Sequence, residues 1–278
     1  MLGDKDKSKP DKEVSACPML GRSCSCFQTV GGLRTGLRLK ITAMTPESHR
    51  KPKNPRILCL HGFRTSGRIL RAIITDKWPD TILRNLDLDF LDAPFPATGK
   101  SDVERLFDPP YYEWYQAKKG FKEYRNFEEC LAYIEDYMIK NGPFDGLLGF
   151  SQGAFLTAAL PGMQEQGTAL TKVPKVKFLV IISGAKIPGL IFGVPKAAVN
   201  AFSSPVRCPS LHFIGERDFL KTAGEALIQS FVEPVVIRHQ SAHTIPKLDT
   251  KAKETVLSFF QRIRQILSDD SGPVRSLM

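Results

Sequence analysis

Ser151 stands between two glycines in GFSQG, residues 149–153. A serine hydroxyl is a weak nucleophile at neutral pH. It needs a base within hydrogen-bond reach, and that base must be oriented by a carboxylate. Both partners have candidates downstream: Asp218 in FIGERDFL and His243 in HQSAHTIP. Together the three would perform acyl transfer, with the serine attacking a carbonyl and the histidine moving its proton. Each residue also has a plainer reading. GxSxG can be an ordinary strand-to-helix junction, Asp218 can cap the helix that follows it, and His239 is a rival base. His239 falls within or at the end of an apolar run, whereas His243 lies in the loop beyond it. His212, inside SLHFIG, reads as a packed strand residue, and His61, closing RILCLH, reads as a residue that shapes a turn.

These residues are useful only if the elements around them bring them together. Pro143–Phe150 is short and mostly apolar, as a buried strand is, and Ala154–Leu160 is rich in Ala and Leu, which suits a helix. Ser151 therefore falls on a strand-to-helix turn, which projects a hydroxyl above a sheet while the helix N-terminus offers free N–H groups. Side chains at positions 149 and 153 would collide as the chain doubles back. Further apolar runs at 56–61, 86–93, 177–184, 210–215 and 233–239 read as strands. Helical patterns fall at 68–84, 127–140, 153–166, 219–230 and 249–267. Val256, Phe259, Phe260, Ile263 and Leu267 share one face of the last helix, and Asn126 with Glu129 resembles the capped start of the second. Strands alternating with helices imply an α/β fold with a mostly parallel sheet covered on both faces. In an α/β-hydrolase the order is serine, acid, histidine, each in a loop after a strand, and this chain keeps that order. The oxyanion formed on attack needs two N–H donors. The backbone of Gln152, after the serine, and of Phe63, after the first strand, occupy those positions. Gly62 lets the backbone approach closely.

Composition narrows the rest. The chain has 278 residues and a net charge of +10, but residues 1–56 alone hold 12 Lys/Arg against 5 Asp/Glu. The basicity belongs mostly to this segment, so the body gives little support for a nucleic-acid groove. No run approaches the ~20 apolar residues needed to cross a bilayer. The six cysteines are scattered and no secretory signal opens the chain, so free thiols in a reducing compartment are expected. Cys17, Cys24 and Cys26 lack a fourth ligand at zinc-site spacing. Residues 1–54 read as a disordered basic extension, since Asp4, Asp6, Asp11 and Glu13 run against a transit peptide. The catalytic domain is expected over 55–268, and a flexible tail over 269–278.

The chain resembles the FSH-type serine hydrolases, small α/β-hydrolases that include esterases and thioesterases. The resemblance rests on LCLHGF (58–63), DPPYYEWY (108–115), GPFDGLLGFSQGA (142–154), PSLHFIGERD (209–218) and HQSAHTIP (239–246). It implies a triad of Ser151, Asp218 and His243, a small acyl ester or thioester as substrate, and no metal or organic cofactor. One departure is Ser241-Ala242, where the family often has glycines before the histidine. A segment at 93–127 is too long for an ordinary connection and rich in aromatics. It is either an apolar wall for an acyl chain, with Tyr111, Tyr112, Trp114 and Tyr115 as substrate-binding candidates, or a small unit packing its own rings. Arg64 and Arg68 follow the oxyanion turn, either solvated or facing an anionic leaving group. The alternative in another class is a ligand receptor or interaction protein on a hydrolase fold, with little turnover. The expected location is the cytoplasm, with the peroxisome a close alternative because Ser276-Leu277-Met278 resembles a C-terminal peroxisomal address.

Overall fold

The computed structural model describes residues 53–118, 123–187 and 195–270. The expectations for the extension up to residue 52, with its three cysteines, and for Ser276-Leu277-Met278 lie outside the described residues. In chain order the elements are β1 (Arg56–Leu60), α1 (Gly67–Lys77), α2 (Asp80–Leu83) and β2 (Asp87–Leu91). The insertion follows as four short strands, β3 (Phe95–Pro96), β4 (Tyr112–Glu113), β5 (Gln116–Lys118) and β6 (Glu123–Arg125). Then come α3 (Phe127–Asn141), β7 (Gly146–Phe150), α4 (Gln152–Glu165), β8 (Phe178–Ile182), β9 (Ser210–Gly215), α5 (Lys221–Ile228), β10 (Val235–His239) and α6 (Thr250–Asp270).

Six of the strands form one parallel sheet in the order β10-β9-β8-β7-β1-β2. The sequence already states which lie inside. All five residues of β8 are buried and so are the last four of β1, whereas the edge strands β2 and β10 keep partly exposed and charged positions. Alternation along β1 divides the core. Leu58 and Leu60 pack with residues of α3 and α4 on one face of the sheet. Ile57 and Cys59 pack with residues of α1, α2 and α6 on the other. Val256, Phe259, Phe260 and Ile263 carry the α6 contact, with Leu267 partly buried beside them. Each fully buried side chain of this size contributes roughly 1.5–3 kcal/mol. The chain reverses its direction of travel across the sheet between β1 and β7, and crevices at such points, at the carboxyl ends of the strands, are where open α/β sheets bind ligands.

Three local expectations need correction. The helix expected over 68–84 is two helices, because Pro79 forces Trp78 into an extended conformation (φ −99°, ψ 134°). Asn126 precedes α3 but does not cap it: its φ is +62° and its amide instead donates to Gln116 Oε1 at 2.9 Å. The last helix runs to Asp270, so residues 269 and 270 are helical.

His212 sits inside β9 as a packed residue, its Nε2 3.0 Å from Ser210 Oγ and its ring 4.7 Å from that of Phe231. Burial lowers its pKa from 6.5 to about 3. The unfolded chain then takes up a proton below pH 6.5 that the folded chain refuses until about pH 3, so stability falls across that window. Between pH 7 and pH 5 the expected loss is ~2 kcal/mol from this histidine. Urea unfolding at the two pH values should show it, and His212→Gln should be less pH-sensitive; an equal slope in both proteins would count against the burial argument.

Candidate active site

Ser151 lies between β7 and α4 with φ +54° and ψ −117°, a conformation that L-residues rarely adopt and that costs on the order of 1–3 kcal/mol. The flanking glycines make the turn possible. A Cβ on Gly149 would stand 2.4 Å from Gly153 O, and one on Gly153 would stand 2.2 Å from Leu60 O. Both atoms belong to the backbone, so neither can swing aside. The Ser151 N–H donates to Ile182 O at 3.1 Å, tying the turn to β8.

The structure brings Ser151, His243 and Asp218 into one hydrogen-bonded row. His243 Nε2 lies 2.9 Å from Ser151 Oγ, and its Nδ1 lies 2.9 and 3.0 Å from the two Asp218 oxygens. A carboxylate only accepts, so Nδ1 carries the proton and Nε2 is free to accept from the serine. Asp218 Oδ1 also accepts from Leu220 N–H at 2.8 Å. It does not cap α5, whose N-cap position is Leu220 without a side-chain cap, so it steadies the turn before the helix while it orients His243. Burial pushes the Asp218 carboxyl up, but the hydrogen bonds from His243 and from Leu220 N–H work against it, and the pKa lies below the usual value. The imidazole is held between rings, with Phe150 at 5.2 Å and Phe219 at 4.5 Å.

The loop bearing His243 is fixed without glycines of its own. Gly215, at the end of β9, supplies the room, since a Cβ there would stand 2.6 Å from Ser241 O and 2.9 Å from Ala242 O. Arg217 Nε donates to Gln240 O at 2.6 Å, and Lys77 Nζ to Thr244 Oγ1 at 2.7 Å. His239 closes β10 and does not reach Ser151. Both of its ring nitrogens are buried without a hydrogen-bond partner, and burial holds its pKa below the ordinary imidazole value.

The turn after β1 faces the serine: a Cβ on Gly62 would stand 3.4 Å from Ser151 Cβ. His61 shapes it. Its Nε2 accepts from Ala93 N–H at 2.9 Å, which leaves the proton on Nδ1, 2.8 Å from Gly62 O. Burial takes its pKa down to about 4, so the ring stays neutral. Among the described residues, the backbone N–H groups of Phe63 and Gln152 have no hydrogen-bond partner. Phe63, Gln152 and Ser151 line one cavity of about 400 Å³, with Arg64, Tyr115, Tyr124, Phe155, Lys186, Ile187, Phe219 and Leu220.

Of the four aromatic candidates, Tyr115 lines this cavity and three do not. Trp114 is fully buried behind it, its ring 5.1 Å from His61 and its Nε1 donating to His61 O at 2.8 Å. Tyr112 is paired in β4 and its N–H donates to Thr65 O, while the Tyr111 hydroxyl donates to Phe107 O. Three successive insertion residues, Glu113, Trp114 and Tyr115, are buried, and the segment both packs its own rings, Tyr115 against Tyr124, and presents these two to the cavity. Arg68 donates to Asp108 O and does not line the cavity, whereas Arg64 does.

Two functional contacts escape sequence reasoning. The Gln152 side chain clamps the insertion, accepting from Trp114 N–H at 3.1 Å and donating to Tyr115 O at 2.9 Å. Glu113 is buried and pairs with Arg64 Nε at 2.7 Å. Gln152→Leu keeps the backbone N–H but strands two buried backbone groups, at ~1–3 kcal/mol each. It should lower the urea midpoint measurably, together with kcat/KM on a medium-chain ester. Unchanged stability would mean that the clamp carries no weight.

A parallel sheet with a serine on a strained strand-to-helix turn and a hydrogen-bonded acid and histidine beyond later strands defines an α/β-hydrolase. Zea mays acyl-protein thioesterase 2 shares this fold, with a TM-score of 0.51 at 16% identity over 76% of this chain and 94% of that one. The family model described as Serine hydrolase (FSH1) matches residues 49–255, and the chain belongs to that family. An esterase of Aedes aegypti is 29% identical over 259 residues, covering 83% of this chain and 88% of its own. Esterase OVCA2 of Xenopus tropicalis is 29% identical over 210 residues, covering 69% and 86%. Among the described residues no helix is long and apolar enough to cross a membrane.

Proposed function

We propose that Ser151, His243 and Asp218 act as a catalytic triad that hydrolyses carboxylic esters or thioesters of apolar acyl chains through an acyl-enzyme. The observation that carries this reading is the row from Ser151 Oγ through His243 to Asp218, opening on an apolar cavity. His243 Nε2 takes the Ser151 proton as Oγ bonds to the substrate carbonyl carbon. Asp218 stabilises the resulting imidazolium. The Phe63 and Gln152 N–H groups receive the oxyanion; one such donor is typically worth ~3 kcal/mol in the transition state. His243 then returns the proton to the leaving oxygen or sulfur as that bond breaks. Water, deprotonated by the same nitrogen, releases the acid and restores the serine. Tyr115, Tyr124, Phe155, Ile187 and Leu220 form the wall for the acyl chain.

The test is a fluorophosphonate, which phosphonylates only an activated serine. Rapid labelling of the folded chain, mapped to Ser151 and lost in Ser151→Ala, supports the reading. Folded protein that stays unlabelled overturns it and favours a binding role for the cavity.

A further inference from the structure

Among the described residues, the charged and amide side chains that line the cavity are satisfied, with one exception. The Gln152 amide is spent on Trp114 and Tyr115. Arg64 is neutralised by the buried Glu113 carboxylate and also donates to Lys100 O at 3.2 Å. Lys186 has no such partner. Among the described residues no carboxylate or hydrogen-bond acceptor meets its ammonium, which lies 5.9 Å from the centre of the Phe202 ring, at the outer limit of a cation–π contact. The stretch 188–194 that follows contains no acidic residue. Sheet order sets β8 and β1 on opposite sides of β7, so Lys186 and Arg64 enter from opposite sides of Ser151. The other walls are aromatic or aliphatic: Phe63, Tyr115, Tyr124, Phe155, Ile187 and Phe219 among them.

A lysine that lines an apolar cavity and has no anionic partner among the described residues discriminates between chains. A neutral chain that fills the cavity strips water from Lys186 and returns nothing, which is a cost. A chain ending in an anion supplies the partner that Lys186 lacks. We propose that the preferred substrate is an ester or thioester whose apolar chain ends in a carboxylate, and that Lys186 is the specificity-determining residue. This rests on the reading of Ser151 as nucleophile.

The experiment compares kcat/KM for monoethyl suberate and ethyl octanoate, which share an acyl chain length and differ in the terminal carboxylate. A second pair, 8-acetoxyoctanoate and octyl acetate, places the carboxylate on the alcohol side instead. Each ratio is measured in the native chain, Lys186→Met and Lys186→Glu, so that a general loss of activity cancels. The charged substrate should be preferred by the native chain in one pair, with its ratio falling roughly tenfold in Lys186→Met and further in Lys186→Glu. The pair that responds identifies the side of the ester. If neither ratio moves with residue 186 while the neutral esters are still hydrolysed, the specificity proposal falls and the hydrolase reading stands. No turnover of any of the four, with no fluorophosphonate labelling, removes both.

Discussion

Ser151→Ala and His243→Ala are each expected to lower turnover of a short p-nitrophenyl ester by ~10⁴-fold or more while the protein stays folded. The two losses should be similar and should not add in the double variant, because the hydroxyl and the imidazole act in one proton transfer across the 2.9 Å contact. His239→Ala is the control. Its ring has no hydrogen bond to lose, and it stands outside the row that reaches Ser151, so kcat should change little. A collapse of activity in His239→Ala with His243→Ala intact would reverse the assignment of the base. Circular dichroism and urea midpoints separate lost chemistry from lost fold, the more so because removing a half-buried imidazole leaves a space at the sheet edge.

The parts of the fold and site that were legible in the sequence are those fixed by short-range chemistry. The strand at Ser210–Gly215 begins and ends where its apolar run does. Gly149 and Gly153 are required by clashes within the turn itself, so their spacing around Ser151 carries the geometry unaided. The insertion is different. β3 and β4 have two residues each, too short for alternation to say which face of a strand points inward. Tyr112, Glu113, Trp114 and Tyr115 therefore gave no sign that Trp114 would be buried behind the cavity and Tyr115 on its wall. Their orientation is set from outside by the Gln152 clamp and the Glu113–Arg64 pair, contacts that join residues far apart in sequence. A buried glutamate is especially hard to foresee, since composition places Glu on surfaces unless a cation meets it. Pro79 was the reverse: its effect on Trp78 is local and was available from the sequence, where the apolar periodicity on either side obscured it.

Asp218→Asn is expected to lower kcat by about 10⁴-fold with little change in KM. Asp218 accepts at both oxygens from His243 Nδ1, and Oδ1 accepts from Leu220 N–H as well. An asparagine has one acceptor and one donor end. The Leu220 N–H, 2.8 Å from Oδ1, holds the amide oxygen on its side, which aims the NH₂ at Nδ1. The imidazole answers by carrying its proton on Nε2, where it points at Ser151 and cannot accept from it. The variant therefore keeps its shape and loses its base. Asp218→Ala should be different in kind: it leaves Leu220 N–H and His243 Nδ1 without a partner and should destabilise the loop as well as slow the reaction. The measurements are ester kinetics and fluorophosphonate labelling rates for both variants, with urea midpoints alongside. Labelling of the asparagine variant at the native rate would show that Asp218 does not set the tautomer. An asparagine variant as unstable as the alanine one would show instead that the carboxylate matters mainly for packing.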